Sequence, residues 1–227
     1  MSFLNKNPTQ PLVITVGARS SPLSQAQVQE VLEEIKPYHP SISFNTFFVL
    51  TSGDLNQQIS LRTMEKTNFF TKEVDELVLN GTCRIGIHSA KDLPFPIPQG
   101  LILVCLTKGI DSSDSLVLRE GCTLEMLPQG AIIATSSIRR ENRVRELRSD
   151  VCFIDLRGTI HQRLNKLERS EADGVVIAEA ALIRLNLTHL NRVKLPGHSV
   201  EGQGQLAILA RENDTEIQQL FAPIGCN

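Results

Sequence analysis

Short apolar runs rich in valine, isoleucine and phenylalanine alternate along this chain with amphipathic stretches of helix length. PLVITVGA predicts a strand, SPLSQAQVQEVLEEIKPY a helix, SISFNTFFVLT a strand, and FFTKEVDELVLNG a helix closed by Gly81. RIGIHS, GLILVCLTKG and AIIATS read as further strands, SIRRENRVRELRS as a helix, CFIDLRG as a strand and TIHQRLNKLERSEA as a helix. GVVIAEAAL is a strand running into a helix, and QGQLAILAR is the last strand. Such alternation predicts α/β units with mixed, largely parallel sheets covered by helices on both faces.

Two segments share one grammar. VITVGARSSPLSQ and AIIATSSIRRENR are each an apolar strand, a serine pair with basic neighbours, and a helix. Two α/β domains with similar ligand-facing edges are therefore expected, with KGIDSSDSLV as the crossover between them and SVEGQGQLA as the return. At 227 residues with 41% apolar content, the chain can fill a real core. Neither a signal-peptide run nor a bilayer-length apolar window is present, so a cytoplasmic protein is expected.

Composition narrows the chemistry. The five cysteines lie far apart, without C-x-x-C pairs or histidines at ligand spacing, so reduced thiols are expected and no zinc site. Cys105 and Cys152 read as small core residues. Net charge is only −2, yet seven arginines fall between Arg139 and Arg163. A local positive field in a mildly acidic protein suits a small anionic ligand in a cleft better than nucleic acid or a membrane surface.

The serine pairs sit where helix N-termini offer free N–H groups, so Ser21, Ser136 and Ser137 either cap helices or face an anion. Pro22 favours capping at Ser21. Arg139 and Arg140 would occupy the first turn of a helix, where cations are unfavourable, which is easier to understand if an anion joins the site. Arginine forks hold carboxylates through paired hydrogen bonds. Arg143, Arg145 and Arg148 read as a solvated helix face, whereas Arg157 lies at the ligand-facing end of a strand and Arg163 in the next helix. In RIGIHSAKDLP, Lys91 and Asp92 fall beyond the strand end, where Asp92 is either an ion-pair partner or a tuned acid/base group. His88 reads as a packed, hydrogen-bonded histidine. No G-x-S-x-G, P-loop or G-x-G-x-x-G is present.

Eight separated motifs resemble the porphobilinogen deaminase (hydroxymethylbilane synthase) family, in its order: RSSPLSQAQ from Arg19, TSGD from Thr51, FTKEVDELVLNG from Phe70, IHSAKDLP from Ile87, ATSSIRR from Ala134, LRGTIHQRL from Leu156, EAALIRLNL from Glu179 and GQGQLAI from Gly202. The resemblance implies two domains like type II periplasmic binding proteins with an interdomain active-site cleft, over residues 1–107 plus 204–227 and residues 108–203. It implies joining of porphobilinogen units in tetrapyrrole (heme) biosynthesis, with Asp92 as the catalytic carboxylate. Arg19, Ser21, Lys91, Thr135, Ser136, Ser137, Arg139, Arg140, Arg157 and Arg163 would hold cofactor or substrate carboxylates. The implied cofactor is dipyrromethane, and a monomer is expected, with no nucleic-acid or membrane partner.

Three positions depart from the family pattern. EKTNF, Glu65 to Phe69, replaces a glycine-rich turn, and Thr159 stands where an asparagine is usual. After FAPIGCN there is no counterpart of the third domain, whose cysteine carries the primer, so that domain is expected to be absent, with Cys226 the remaining attachment candidate. The alternative is a noncatalytic binder of porphobilinogen or other anionic small molecules. A similar clamp also serves as the effector module of transcription regulators, but no helix-turn-helix is visible.

Overall fold

The computed structural model describes residues 12–60, 62 and 67–225. Strand β1, Val13–Arg19, alternates cleanly: Ile14, Val16 and Ala18 are buried on one face. Helix α1, Pro22–Ile35, covers that face through Val28, Val31 and Ile35, the i, i+3, i+7 stripe of an amphipathic helix. Its start is fixed by Ser21, whose side chain accepts from the Ser24 N–H at 3.2 Å, with Pro22 in the first turn. Each such aliphatic side chain contributes about 1.5–3 kcal/mol when fully buried.

Strands β2 (Ser43–Val49), β3 (Ile85–Ser89) and β4 (Leu101–Leu106) join β1 and β10 (Leu206–Arg211) in one sheet, ordered β2-β1-β3-β10-β4. The short helix α2 (Ser52–Leu55) follows β2, and α3 (Lys72–Leu79) precedes β3 and packs on the face opposite α1. Helix α7, Thr215–Phe221, closes this lobe by burying Ile217, Leu220 and Phe221. The second lobe is built on the sheet β7-β6-β8-β5-β9, from β5 (Asp114–Leu118), β6 (Ile132–Ala134), β7 (Cys152–Ile154), β8 (Gly174–Ala178) and β9 (Arg192–Lys194). Helices α4 (Ile138–Leu147), α5 (Ile160–Glu168) and α6 (Glu179–Arg184) clothe it, with separate apolar clusters on its two faces.

Both sheets are mixed, and the antiparallel share is larger than helix alternation suggests. In each, one strand runs against its two neighbours: β10 between β3 and β4, and β5 between β8 and β9. Those are the strands at the lobe crossings. The chain passes over between β4 and β5 and returns between β9 and β10. Buried Gln203 ties the passages together, donating to the Ser112 carbonyl at 2.7 Å, the Ser113 carbonyl at 3.1 Å and the Asp114 carboxylate at 3.0 Å. Gly204 has φ +88°, and a Cβ there would lie 2.3 Å from the Asp111 carbonyl oxygen.

Cys105 is buried as expected, but Cys152 is exposed, because β7 is an edge strand and its first residue faces solvent. Among the described residues no helix is long and apolar enough to cross a membrane, and no group of three or more His, Cys, Asp or Glu could hold a metal ion.

Candidate functional site

The C-terminal ends of β1 and β3 and the starts of α1 and α5 meet at a cavity of about 230 Å³ between the lobes. Arg19, Ser21, Lys91 and Asp92 reach it from the first lobe, and Arg140 and Arg163 from the second. An adjoining cavity of about 280 Å³ shares Arg19, Ser21 and Arg163 and adds Arg157. Open α/β sheets place ligands at such strand ends, where side chains leave the sheet with no neighbour to pair with.

Around Arg19 the sequence builds its own support. Thr51 and Asp54 form a reciprocal capping box at the start of α2. The same Asp54 carboxylate takes Arg19 through two contacts, one of them Nε to Oδ2 at 3.2 Å. Burial works to raise the Asp54 pKa, but Arg19 and Thr51 outweigh it and hold the carboxyl below its usual range. The Arg19 guanidinium lies 4.8 Å from the centre of the Phe70 ring, a cation–π stack. Ser21 both caps α1 and lines the cavities.

Lys91 and Asp92 arrive in a short helical turn directly after β3. Neither side chain has a hydrogen-bond or ion-pair partner among the described residues. Burial, then Arg140, pulls the Lys91 ammonium down to about 8, against the opposing pull of Asp92 and Asp114. Arg163 also lacks an acidic partner there, and its Nε donates to the Gly158 carbonyl at 2.8 Å. Burial and the charges of Arg140, Arg157 and Arg19 lower its pKa to about 10, so it stays charged at neutral pH. Arg157 is pushed down by burial and Arg19, and it donates to the backbone carbonyls of Gly53, at 2.9 Å, and Ile59.

The anion expected beside Arg139 and Arg140 exists within the protein. Asp114, at the first position of β5, is contacted by Arg139 Nη2 and Arg140 Nη2, each at 2.6 Å. Burial pushes the Asp114 carboxyl up, but the two guanidiniums outweigh it and hold it low. The Nε atoms of both arginines remain buried without a hydrogen-bond partner. Asp114 was invisible in sequence, since only folding brings it to a helix 25 residues away. Asp54, Phe70, His161 and Arg184 also line the cavity; all four lie within the motifs noted above, but none is among the residues expected there to hold a ligand.

Thr135, Ser136, Ser137 and Arg139 are not among the residues lining either cavity. Thr135 is buried, with its hydroxyl accepting from the Ser137 N–H at 3.3 Å. The Ser136 hydroxyl accepts from the Leu156 N–H at 2.7 Å and donates to the Leu156 carbonyl at 3.1 Å. The Ser136 contacts tie the end of β6 to the end of β7. Ser137 makes no side-chain cap on α4. Arg145 does sit on a helix face, meeting Glu141 at 3.8 Å, but Arg148 lies just past the end of α4 in extended backbone, where it pairs with Asp150 at 2.7 Å and donates to the Leu124 and Leu127 carbonyls at 2.7 and 2.9 Å. Glu65, Lys66 and Cys226 lie outside the described residues; Thr67–Phe69 lead into α3 through a single helical turn.

Comparison with known proteins decides the family. Residues 14–219 match the family model described as porphobilinogen deaminase, dipyromethane cofactor binding domain. The chain belongs to the porphobilinogen deaminase family. This is a family of transferases, and the matched domain identifies dipyrromethane as its implied cofactor. A probable porphobilinogen deaminase of Chlamydia pneumoniae is 36% identical over 214 residues, covering 94% of this chain and 91% of that one. The porphobilinogen deaminase of Blochmanniella pennsylvanica is 35% identical, covering 93% of this chain and 72% of that one. Among solved structures, the methionine-binding protein MetQ superposes with a TM-score of 0.58 at 13% identity, covering 94% and 90% of the two chains. A periplasmic substrate-binding protein of Coxiella burnetii gives 0.56 at 13%, covering 93% and 91%. Both share the two-lobed clamp fold.

The cavity suits the family's cofactor chemically. A dipyrromethane carries carboxylates and pyrrole N–H groups. Lys91 and Arg163 are cations without acidic partners, Arg140 keeps a buried Nε without a hydrogen bond, and Asp92 is an acceptor without a donor.

Proposed function

We propose that this protein is a porphobilinogen deaminase (hydroxymethylbilane synthase), condensing four porphobilinogen units into hydroxymethylbilane with release of ammonia. The observation that carries this reading is the Lys91–Asp92 turn, presented without partners to an interlobe cavity that also holds Arg163 and Arg140. Each porphobilinogen has an acetate, a propionate and an aminomethyl group. Lys91, Arg19, Arg140, Arg157 and Arg163 are the candidate carboxylate holders, with Ser21 as a hydroxyl donor. Paired hydrogen bonds from arginine forks would fix ring orientation as well as charge.

Asp92 accepts hydrogen bonds from pyrrole N–H groups, which sets the ring plane. Its negative charge then stands where positive charge develops as the aminomethyl C–N bond breaks and ammonia leaves with the electron pair. A carbon–carbon bond forms to the free α carbon of the acceptor pyrrole, which afterwards gives up its proton. A preorganised carboxylate beside developing positive charge lowers the barrier without reorganisation during the step. Bound dipyrromethane supplies the pyrrole end to which the first unit is joined. The protein is expected to act as a cytoplasmic monomer.

Incubation with porphobilinogen, then oxidation and detection of uroporphyrin I, tests the reading. The wild type is expected to form product, and Asp92→Asn to lose about 100-fold or more in kcat, the scale of removing one preorganised electrostatic group. Saturable porphobilinogen binding without turnover would favour the noncatalytic binder instead.

A further inference from the structure

Beneath the Lys91–Asp92 turn lies a second pair of ionisable groups that the proposed chemistry does not use. His88 on β3 and Asp75 on α3 are 5% and 3% exposed, with Nε2 3.2 Å from Oδ1. The contact is not aligned as a hydrogen bond. His88 Nε2, both Asp75 oxygens and the hydroxyl of Thr71 are all buried with no hydrogen-bond partner among the described residues. Thr71 stands one turn before Asp75, whose N–H donates to the Thr71 carbonyl at 2.8 Å. Unsatisfied buried polar atoms destabilise a fold, and an apolar pair of similar volume would often be neutral or better. The core around them is otherwise apolar, with Val74 and Val78 fully buried on the same helix.

The sheet makes room for this pair. On β3, Ile85 and Ile87 pack toward α1, so Gly86 and His88 share the face toward α3. A Cβ at Gly86 would lie 3.1 Å from His88 Nε2, 3.2 Å from Val74 and 3.3 Å from Val78. The imidazole therefore occupies space that the glycine leaves.

What the pair joins is informative. Asp75 follows Phe70 by five residues, and Phe70 lines both cavities and stacks under Arg19. His88 precedes Lys91 by three residues, through Ser89, which is held by Gln27 Nε2 at 2.7 Å. We infer that Asp75 and His88 are positioning residues that set the Lys91–Asp92 turn against the Phe70–Arg19 wall. This rests on the reading of Asp92 under Proposed function, because only there does a small displacement of the turn affect turnover.

The experiment compares the full-length wild type with Asp75→Asn, His88→Leu and His88→Gln, measuring kcat and KM for porphobilinogen and the thermal midpoint. Misplacing a reacting group by about 1 Å can remove about 100-fold of rate. Asp75→Asn and His88→Leu are expected to lower kcat about tenfold or more while KM stays within about twofold. His88→Gln places an amide nitrogen near the former Nε2 and is expected to recover most of kcat. Unchanged kcat in the folded Asp75→Asn and His88→Leu proteins overturns the inference, as does His88→Gln turning over no faster than His88→Leu. Should the single variants fail to fold, the double variant Asp75→Leu/His88→Leu restores an apolar core, and it must still lose kcat.

A wild type without turnover would count against the proposed function, not against the pair. In that case the backbone amide resonances of Lys91 and Asp92 decide. They are expected to shift in Asp75→Asn and in His88→Leu and to lie closer to their wild-type positions in His88→Gln, and resonances unmoved in Asp75→Asn overturn the inference.

Discussion

At the residue scale, Lys91 carries the clearest electrostatic consequence. Burial, reinforced by Arg140, lowers its ammonium from an ordinary 10.5 to about 8. The unfolded chain therefore holds this proton more tightly than the folded protein does. Stability rises with pH between about 8 and about 10.5 on this account, and below about 8 the folded state bears the full penalty. Lys91→Met is expected to raise the thermal midpoint near pH 7 and to flatten the rise toward pH 9.5. Urea unfolding of both proteins at the two pH values checks this, and an unchanged slope refutes it. The same shift has a binding counterpart. A ligand carboxylate drawn to Lys91 favours the charged ammonium, so binding an anionic ligand near pH 8.5 should take up protons, visible as a buffer-dependent heat in calorimetry. A strained charge of this kind is easier to maintain in a binding site than in a core.

At the element scale, the TSGD segment shows how a very short helix can matter. Four residues cannot sustain a helix alone, and α2 exists because Thr51 and Asp54 cap it reciprocally and Glu73 Oε1 accepts from the Ser52 N–H at 2.9 Å. Gly53 is required by packing, since a Cβ there would lie 2.3 Å from the Phe70 ring. Gly53→Ala is expected to cost about 1–3 kcal/mol by overpacking and to raise KM by displacing Phe70 from Arg19. Urea unfolding and steady-state kinetics measure the two effects, and an unaltered KM would show that the Phe70 wall does not bear on binding. Elements of this kind set the limit of what was legible in the chain. Long periodic segments such as α1 and apolar runs such as β3 and β10 announced themselves, because their spacing alone dictates a face. Four-residue α2 and three-residue β9 are too short to show a period. β5 was absorbed into the crossover because its apolar run, Leu116–Leu118, follows a serine-rich stretch. The Lys91–Asp92 turn and the Arg19, Arg140 and Arg163 cluster could be anticipated from strand ends and basic helix starts. Asp114 could not, because its identity as the counter-charge of Arg139 and Arg140 depends on strand order, and strand order is a long-range property.

At the scale of the whole molecule, arginines bridge the two lobes at three places among the described residues. Arg184 on α6, its side chain 4% exposed, holds Glu30 on α1 through two contacts at 2.7 and 2.8 Å and donates to the Gly204 carbonyl at 2.9 Å. Arg62 reaches Glu141 at 2.7 Å and Asp155 at 2.6 Å. Arg157 bonds the backbone of Gly53 and Ile59. The cavity draws cations from both lobes, so without an anion their mutual repulsion opposes closure and these bridges offset it. An anionic ligand would then act as a further bridge, between Lys91 and Arg19 on one side and Arg140 and Arg163 on the other. Glu30→Gln leaves the Arg184 guanidinium buried beside a neutral partner, which is unfavourable in the closed form and relieved by opening. The variant is expected to show a larger radius of gyration in solution scattering and about fivefold weaker binding of porphobilinogen, the scale of a shift of about 1 kcal/mol between open and closed populations. Saturating ligand should return it to the wild-type dimension, because the ligand binds across the same gap. If scattering shows no expansion in the free variant, the Glu30–Arg184 pair is not what holds the lobes together. If expansion persists at saturation, the ligand does not span them.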